Sequence, residues 1–353
     1  MDSVVRVDLD FLVARLHGQR QTFAEGDRLD VLSRLRSVPE LSRAVLPNSR
    51  CTTAYELQHQ LIERVIQELG EFSQQLSGAA SRLLEWQRMR FQMENLKVAA
   101  RAFVTQQHLD TVRDHLIPLP PALHLDVAAL LAADSIESFA AEVTEPIWRQ
   151  GLLEGAKVGG PDLKPVVLEA ALDRSYFCEL LQRTRSLPWQ ARHDSLAIAR
   201  QETDTFHLML VARGRFTYGL PPEQLAEFHI TGASLSLQRF QRMLSAKTLR
   251  LAAGEAVGLA VEKLPEPDPT DTDRGQHLDP AVLETLAWNR YLRLARRAFR
   301  RNHMALGAVI AFTAIRRIEL ANLISLSEGI RMQMDPETIR HQLIPIELET
   351  LRV

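Results

Sequence analysis

The chain has 353 residues, 46% hydrophobic and 24% charged, with 42 Lys plus Arg against 44 Asp plus Glu and a net charge of −2. That is material for several cores, and the charge balance gives no support for a nucleic-acid binder, which shows a basic excess. Two cysteines far apart, Cys51 and Cys178, make neither a zinc site nor a disulfide framework and fit a reducing compartment.

The opening stretch "MDSVVRVDLDFLVARLHGQR" has acids inside its apolar run and lacks the unbroken core of a signal peptide. Strand signals are scarce, with aromatics at 6% and alternation confined to short runs, so the expected fold class is all-α. A helical period covers 54–76, where Leu57, Leu61, Ile62, Val65, Ile66 and Leu69 form one stripe. Further helices are expected at 80–105, 163–183, 189–213, 281–303 and 306–330, separated by proline-rich breaks at 118–124, 219–224 and 334–338. In the last break Asp335 is placed to cap, Pro336 to take the first helical position and Glu337 to face the positive helix end. The glycines of 152–162 follow no strand and read as turn residues, not a phosphate loop. The segment 262–280, "EKLPEPDPTDTDRGQHLDP", reads as a solvated linker whose prolines break any shared acidic face. The longest apolar run, "MALGAVIAFTAI" at 304–315, is too short to span a bilayer and is followed by Arg316 and Arg317, which predicts a buried core helix.

The chain repeats itself. "DTVRDHLIPL" at 110–119 and "ETIRHQLIPI" at 337–346 share Thr, Arg, Leu, Ile and Pro in register, and extending the match leftwards sets Asn95 opposite Asn322. A middle copy puts His207 in the asparagine place and "PPEQLAEFHIT" at 221–231 in the place of the helix ending, with one inserted residue. Three positions before each Asn or His stand Gln92, Asp204 and Glu319. Tyr176 and Tyr291 lie equally far before His207 and Asn322, and Tyr55 lies somewhat farther before Asn95. A second apolar spacing also recurs, as Leu32, Leu35 and Leu41, as Val127, Leu130 and Ile136, and as Phe240, Met243 and Leu249. The first of these sets precedes the first repeat. The N-terminal forty residues are therefore expected to complete the third repeat, giving a pseudo-threefold array. The expected organisation is 1–40 closing the third repeat, 41–158 as repeat 1, 162–261 as repeat 2, the linker 262–280, and 281–353 as repeat 3.

The pairs Gln92/Asn95, Asp204/His207 and Glu319/Asn322 each share one helical face. Such side chains hydrogen-bond helix ends and neighbouring turns. Asp204 with His207 has the elements of an acid/base pair or half a metal site, but the other two copies have no histidine, so a structural role is expected for all six. No nucleophile elbow, HExxH or paired CxxC is present, and no catalytic residue, metal or cofactor is expected.

Five ordered blocks resemble the C-type subunit of the V-type/A-type ATPases, the counterpart of the eukaryotic d-type subunit. They are "FLVARLHGQRQTF" near the start, "MENLKVAARAF" at 93–103, "LDRSYFCELL" at 172–181, "RQETDTFHLMLVARGRFTYGLPPEQL" at 200–225 and "IRRIELANLISLSEGIRMQMDPETIRHQLI" at 315–344. Together they span essentially the whole chain. The chain departs from the family's pattern at His207, where asparagine is usual, and around Gln92–Glu94, where the family is richer in acid. The resemblance implies a funnel-like ring of three helical bundles. It would cap the membrane proteolipid (c/K/L) ring from the cytoplasmic face, as a peripheral component held to the membrane only through that ring. It would also seat the D and F subunits of the central shaft, so that torque couples ATP turnover to proton or sodium transport without covalent chemistry of its own. Arg290, Arg293, Arg297, Arg300 and Arg301 fall within about 100° of arc on one helix, with Trp288, Tyr291, Leu292, Ala295 and Phe299 opposite. That face reads as a solvated basic surface, as a docking surface for acidic groups on the shaft or ring, or as a nucleic-acid contact. The competing readings of the whole chain are a generic helical-repeat adaptor that binds another protein and an all-α enzyme.

Overall fold

The computed structural model describes residues 9–256 and 278–345. The expected linker at 262–280 lies outside the described residues up to 277. The described residues are all-helical, with no strand. In chain order the helices begin with α1 (Leu9–Arg20), α2 (Asp27–Ser33), α3 (Val38–Val45), α4 (Ala54–Gln75) and α5 (Gly78–Val104). Five shorter or medium ones follow: α6 (Leu109–Val112), α7 (Val127–Leu131), α8 (Ile136–Ala141), α9 (Pro146–Gly159) and then α10 (Pro165–Arg185). The remainder are α11 (Trp189–Met209), α12 (Pro222–Ala226), α13 (Leu237–Ser245), α14 (Leu249–Glu255), α15 (Pro280–Arg301), α16 (Leu306–Arg331) and α17 (Pro336–Gln342). The long helices start and stop within two residues of where periodicity placed them, except that α11 ends at Met209 and continues as a π-helix over Leu210–Arg215.

Local chemistry explains the boundaries. Thr53 and Glu56 form a reciprocal capping box at the start of α4. Asp335 caps α17 through the Thr338 amide, with Pro336 in the first turn. Ser37, Ser135 and Thr248 each accept an amide from the third residue of α3, α8 and α14. These caps correct one register. The residue after each cap is Val38, Ile136 or Leu249, so Val38 takes the place that spacing alone assigned to Leu41. The buried pair matching Val127 and Leu130 is then Leu29 and Leu32.

The described residues form two compact units. One comprises Met1–Glu85, Thr184–Ile198 and Thr285–Val353. Its centre is α16, which is buried on nearly every face along its first fifteen residues and packs against α4 and α1. Phe312 of α16 meets Phe23 at 5.0 Å and Phe72 at 5.9 Å between ring centroids, near the spacing that aromatic pairs favour. The apolar run 304–315 is thus a core helix start. No helix among the described residues is long and apolar enough to cross a membrane. Just past that run the buried Arg316 donates to Glu68 at 2.8 Å and also pairs with Glu319. Burial opposes its charge, yet the two carboxylates raise its pKa above the usual value.

The other unit comprises Trp86–Arg183 and Ala199–Glu284. Trp86 stacks on Trp148 at 4.8 Å and on Tyr176 at 5.8 Å, and its indole N–H donates to the Tyr176 carbonyl. Beside this aromatic core Arg90 of α5 donates to Glu202 of α11 at 2.6 Å, and Lys97 bridges Glu94 and Asp173 at 3.0 Å each. These pairs set the register of α5 against α10 and α11. Gly155 lets α9 approach α10 so closely that a Cβ there would lie 2.7 Å from the Ala171 Cβ.

Candidate functional site: three backbone clamps and an arginine face

Asn95, late in α5, grips one residue of the segment that follows its helix. Its Nδ2 donates to the Ile117 carbonyl at 2.8 Å and its Oδ1 accepts the Ile117 N–H at 2.7 Å, across 22 residues. Asn322 in α16 does the same to Ile344 at 2.6 and 2.9 Å, again across 22 residues. An amide side chain offers one donor and one acceptor in a plane, which matches the two groups of a single backbone residue.

One turn earlier on each helix a second side chain holds a second strap. Gln92 donates to the Leu123 carbonyl at 3.2 Å while its oxygen accepts the Trp148 indole N–H at 3.1 Å. Glu319 accepts the Ala24 N–H at 2.6 Å. Asp204 accepts the Leu235 N–H at 2.9 Å, spanning the same 31 residues as Gln92 and Leu123. The residues so held stand just before α2, α7 and α13. Helix packing alone would leave these connections wandering; a buried polar side chain pins each one at a named backbone atom.

His207 is the variation. Its Nε2 accepts the Ile230 N–H at 3.0 Å, across 23 residues. The extra residue is absorbed by the π-helix, where the Phe216 and Tyr218 amides reach back five residues to the Val211 and Arg213 carbonyls. Because Nε2 accepts, the neutral ring carries its proton on Nδ1, which finds no hydrogen-bond partner among the described residues. The ring lies parallel to His229 at 5.1 Å and against Phe240 at 5.0 Å. Burial first, and the neighbouring His229 second, lower its pKa to about 3. An imidazole held neutral over that range is a poor proton acceptor near neutrality, and its one lone pair is already used. Asp204 is likewise committed to a backbone amide. Among the described residues no group of three or more His, Cys, Asp or Glu side chains could hold a metal.

The tyrosines divide. Tyr176 lies in the Trp86 core with the Arg90 guanidinium 5.5 Å from its ring, and Tyr291 is buried beside Trp288 at 5.2 Å. Tyr55 instead sits in the first turn of α4, 47% exposed, with its ring tilted against His59. Its longer spacing from Asn95 places it at the start of its helix, where the other two tyrosines lie well inside theirs.

On α15, Arg293, Arg297, Arg300 and Arg301 are exposed and Arg290 is half-buried, while Tyr291, Leu292, Ala295 and Phe299 are buried. Arg296, between the two faces, pairs with Glu25 at 2.9 Å. Two parts of the site were not visible in sequence. The straps' backbone partners, Ala24, Leu123, Leu235 and the three isoleucines, contribute amide groups that any residue could supply. Asp194 of α11 binds Arg301 at 3.3 Å and Asn302 at 2.9 Å, a long-range pairing with no local signature.

No curated protein matches the chain. A family model described as ATP synthase (C/AC39) subunit matches residues 12–342, which includes every clamp side chain and the whole arginine face. The chain belongs to the ATP synthase (C/AC39) subunit family and is a subunit of a V/A-type ATPase.

Proposed function

We propose that this chain is a non-catalytic rotor component that caps the membrane proteolipid ring and seats the foot of the central shaft, formed by the D and F subunits. The observation that carries this reading is the family match together with the use to which the buried polar residues are put. Gln92, Asn95, Asp204, His207, Glu319 and Asn322 each make at least one hydrogen bond to the backbone of a connecting segment. A part that transmits torque needs connections that do not yield, and polar straps at fixed atoms give stiffness that apolar contact alone does not. The chain would sit as a peripheral component on the cytoplasmic face and reach the membrane through the ring.

The proposed organisation is three helical repeats closing as a funnel-like ring, with residues 1–40 completing the third. Support comes from Glu319, which holds Ala24 before α2 as Asp204 holds Leu235 before α13. The Arg340 to Asp30 pair linking α17 and α2 adds to it. Arg290, Arg293, Arg297, Arg300 and Arg301 are the proposed contact for acidic groups on the shaft or ring. The test is purification of the ATPase through a tag on this chain, followed by imaging of the assembly. Density for this chain between ring and shaft is the expected outcome. Recovery of the chain only as a free monomer, or its location elsewhere in the complex, would refute the proposal.

A further inference from the structure

The first helix and the turn before α16 bring two imidazoles together. His17 lies in the last turn of α1 and His303 between α15 and α16, 286 residues apart in sequence and within one unit. His17 Nε2 stands 2.9 Å from the His303 carbonyl oxygen and 3.1 Å from His303 Nδ1, with the rings edge to face at 4.7 Å between centroids. A carbonyl only accepts, so the His17 Nε2–H donates to it, and the lone pair of His303 Nδ1 is turned on that same proton. Three atoms of the kind that ligate metals therefore converge where a single proton is shared.

The spacing is that of a metal site. Two imidazole nitrogens on one tetrahedral zinc, each about 2.0–2.1 Å from the ion, stand about 3.3 Å apart, so the pair has to open by only about 0.2 Å. The surroundings hold both ligands. The His17 ring packs on Phe299 at 4.6 Å, and Leu16 before it is fully buried. His303 follows Asn302, whose Nδ2 donates to Asp194 at 2.9 Å and to the Ala298 carbonyl at 2.8 Å, and whose carbonyl accepts the Ala305 N–H at 2.7 Å. Those bonds fix the backbone from which the His303 ring and carbonyl project. Of the arginines within three residues of either histidine, Arg15, Arg20 and Arg301 are paired with Glu71, Glu25 and Asp194. Arg300 is exposed, where solvent screens its charge.

We infer that His17 and His303 form a binding site for a late first-row divalent metal ion of the Zn²⁺ or Cu²⁺ class, held by His17 Nε2, His303 Nδ1 and, more weakly, the His303 carbonyl. On binding, the His17 proton moves to Nδ1, and the ion takes the two nitrogen lone pairs with water in its remaining positions. Imidazole selects such ions over Mg²⁺ and Ca²⁺, which prefer oxygen ligands. Two side-chain ligands leave the site open and the ion exchangeable, unlike a closed structural zinc. The ion ties the first helix to the start of α16, against which that helix packs. A clip across so long a loop gains the most from closure. The site is built within one unit and needs no partner subunit.

The experiment uses the full-length chain, freed of metal by a chelator and titrated with Zn²⁺ in a calorimeter. The wild type should bind one equivalent saturably, and His17→Gln and His303→Gln should each weaken that affinity at least about tenfold. His193→Gln, at an exposed imidazole of the same unit, should bind as the wild type does. Cu²⁺ on the wild type should show two nitrogen ligands by electron paramagnetic resonance. Hydrogen exchange reads the clip itself. With free Zn²⁺ about a hundredfold above its dissociation constant, exchange at Leu12, Val13 and Leu16 should slow by up to about a hundredfold in the wild type. Neither glutamine variant should respond, and Mg²⁺ at the same concentration should have no effect. Circular dichroism establishes that each variant is folded, and should one fail to fold, the other decides. Absence of saturable Zn²⁺ binding by the wild type would overturn the inference. So would wild-type affinity in a folded glutamine variant, which would mark an adventitious ion on other histidines. Equal slowing of exchange by Mg²⁺ would overturn it too.

Discussion

Replacing His207 by asparagine tests the middle clamp in a way that the other two cannot. In the folded chain the imidazole is fully buried and neutral, with its pKa lowered to about 3 by burial and by His229; in the unfolded chain it returns to about 6.5. The unfolded state therefore binds the proton first. Stability from the neutral ring is present above about pH 6.5 and drains away as pH falls toward 3. Between pH 7.5 and pH 5 the loss from this one group is about 2 kcal/mol, or roughly thirtyfold in an opening equilibrium. Protonation also converts the acceptor of the Ile230 amide into a donor, so the strap opens where the charge appears. The assay is hydrogen exchange at Ile230 and Leu235, expressed as protection relative to the free peptide at each pH. In the wild type both amides should lose about thirtyfold in protection from pH 7.5 to pH 5. In His207→Asn protection is lower at pH 7.5, because a smaller side chain leaves space beside His229 and Phe240, but it should not change between the two pH values. Equal pH dependence in the two proteins would refute the assignment of His207 as the neutral acceptor.

Asn322→Ala removes both bonds to Ile344 and should lower the stability of the chain by about 2 kcal/mol, read from the shift of the unfolding midpoint in denaturant. Arg316→Met leaves the buried Glu319 without its cation and Glu68 with Arg64 alone, and should cost about 3–5 kcal/mol, larger than any exposed arginine on α15 measured by the same curve. Glu319→Ala frees the Ala24 amide, so limited proteolysis between α1 and α2 should accelerate, while cleavage near Leu123 stays at the wild-type rate. Gly155→Ala should destabilise by about 1–3 kcal/mol because of the Ala171 clash, whereas Gly18→Ala, with open space at its Cβ inside α1, should stabilise by about 1 kcal/mol.

Helices were legible because their signal is dense: α4 buries Leu57, Leu61, Val65, Ile66 and Leu69 on the stripe that periodicity drew. The clamp side chains were legible because each copy repeats a polar pair at fixed spacing on an otherwise apolar face. Their partners were not, since a backbone amide leaves no mark on the residue that bears it. The three-residue slip at Leu41 has a different cause. Apolar spacing recurs every turn of helix, so Leu29, Leu32 and Val38 fit as well as Leu32, Leu35 and Leu41 until the Ser37 cap fixes where α3 begins. Tyr55 misled for a related reason, as two tyrosines at equal spacing invited a third that the fold puts at a helix start. The inserted residue in the middle copy was visible as a number, and only the π-helix at Leu210–Arg215 says where the chain hides it.

The straps have one more consequence, which concerns their own side chains. A grip on peptide groups does not ask which side chains ride on the captured segment, so Asn95 holds "DHLIP" and His207 holds "EFHIT" through the peptide groups of one isoleucine each. Side chains on the straps can then be exchanged without loosening the grip. The skeleton is thus fixed at a few peptide groups, and the side chains of the straps carry little of that burden.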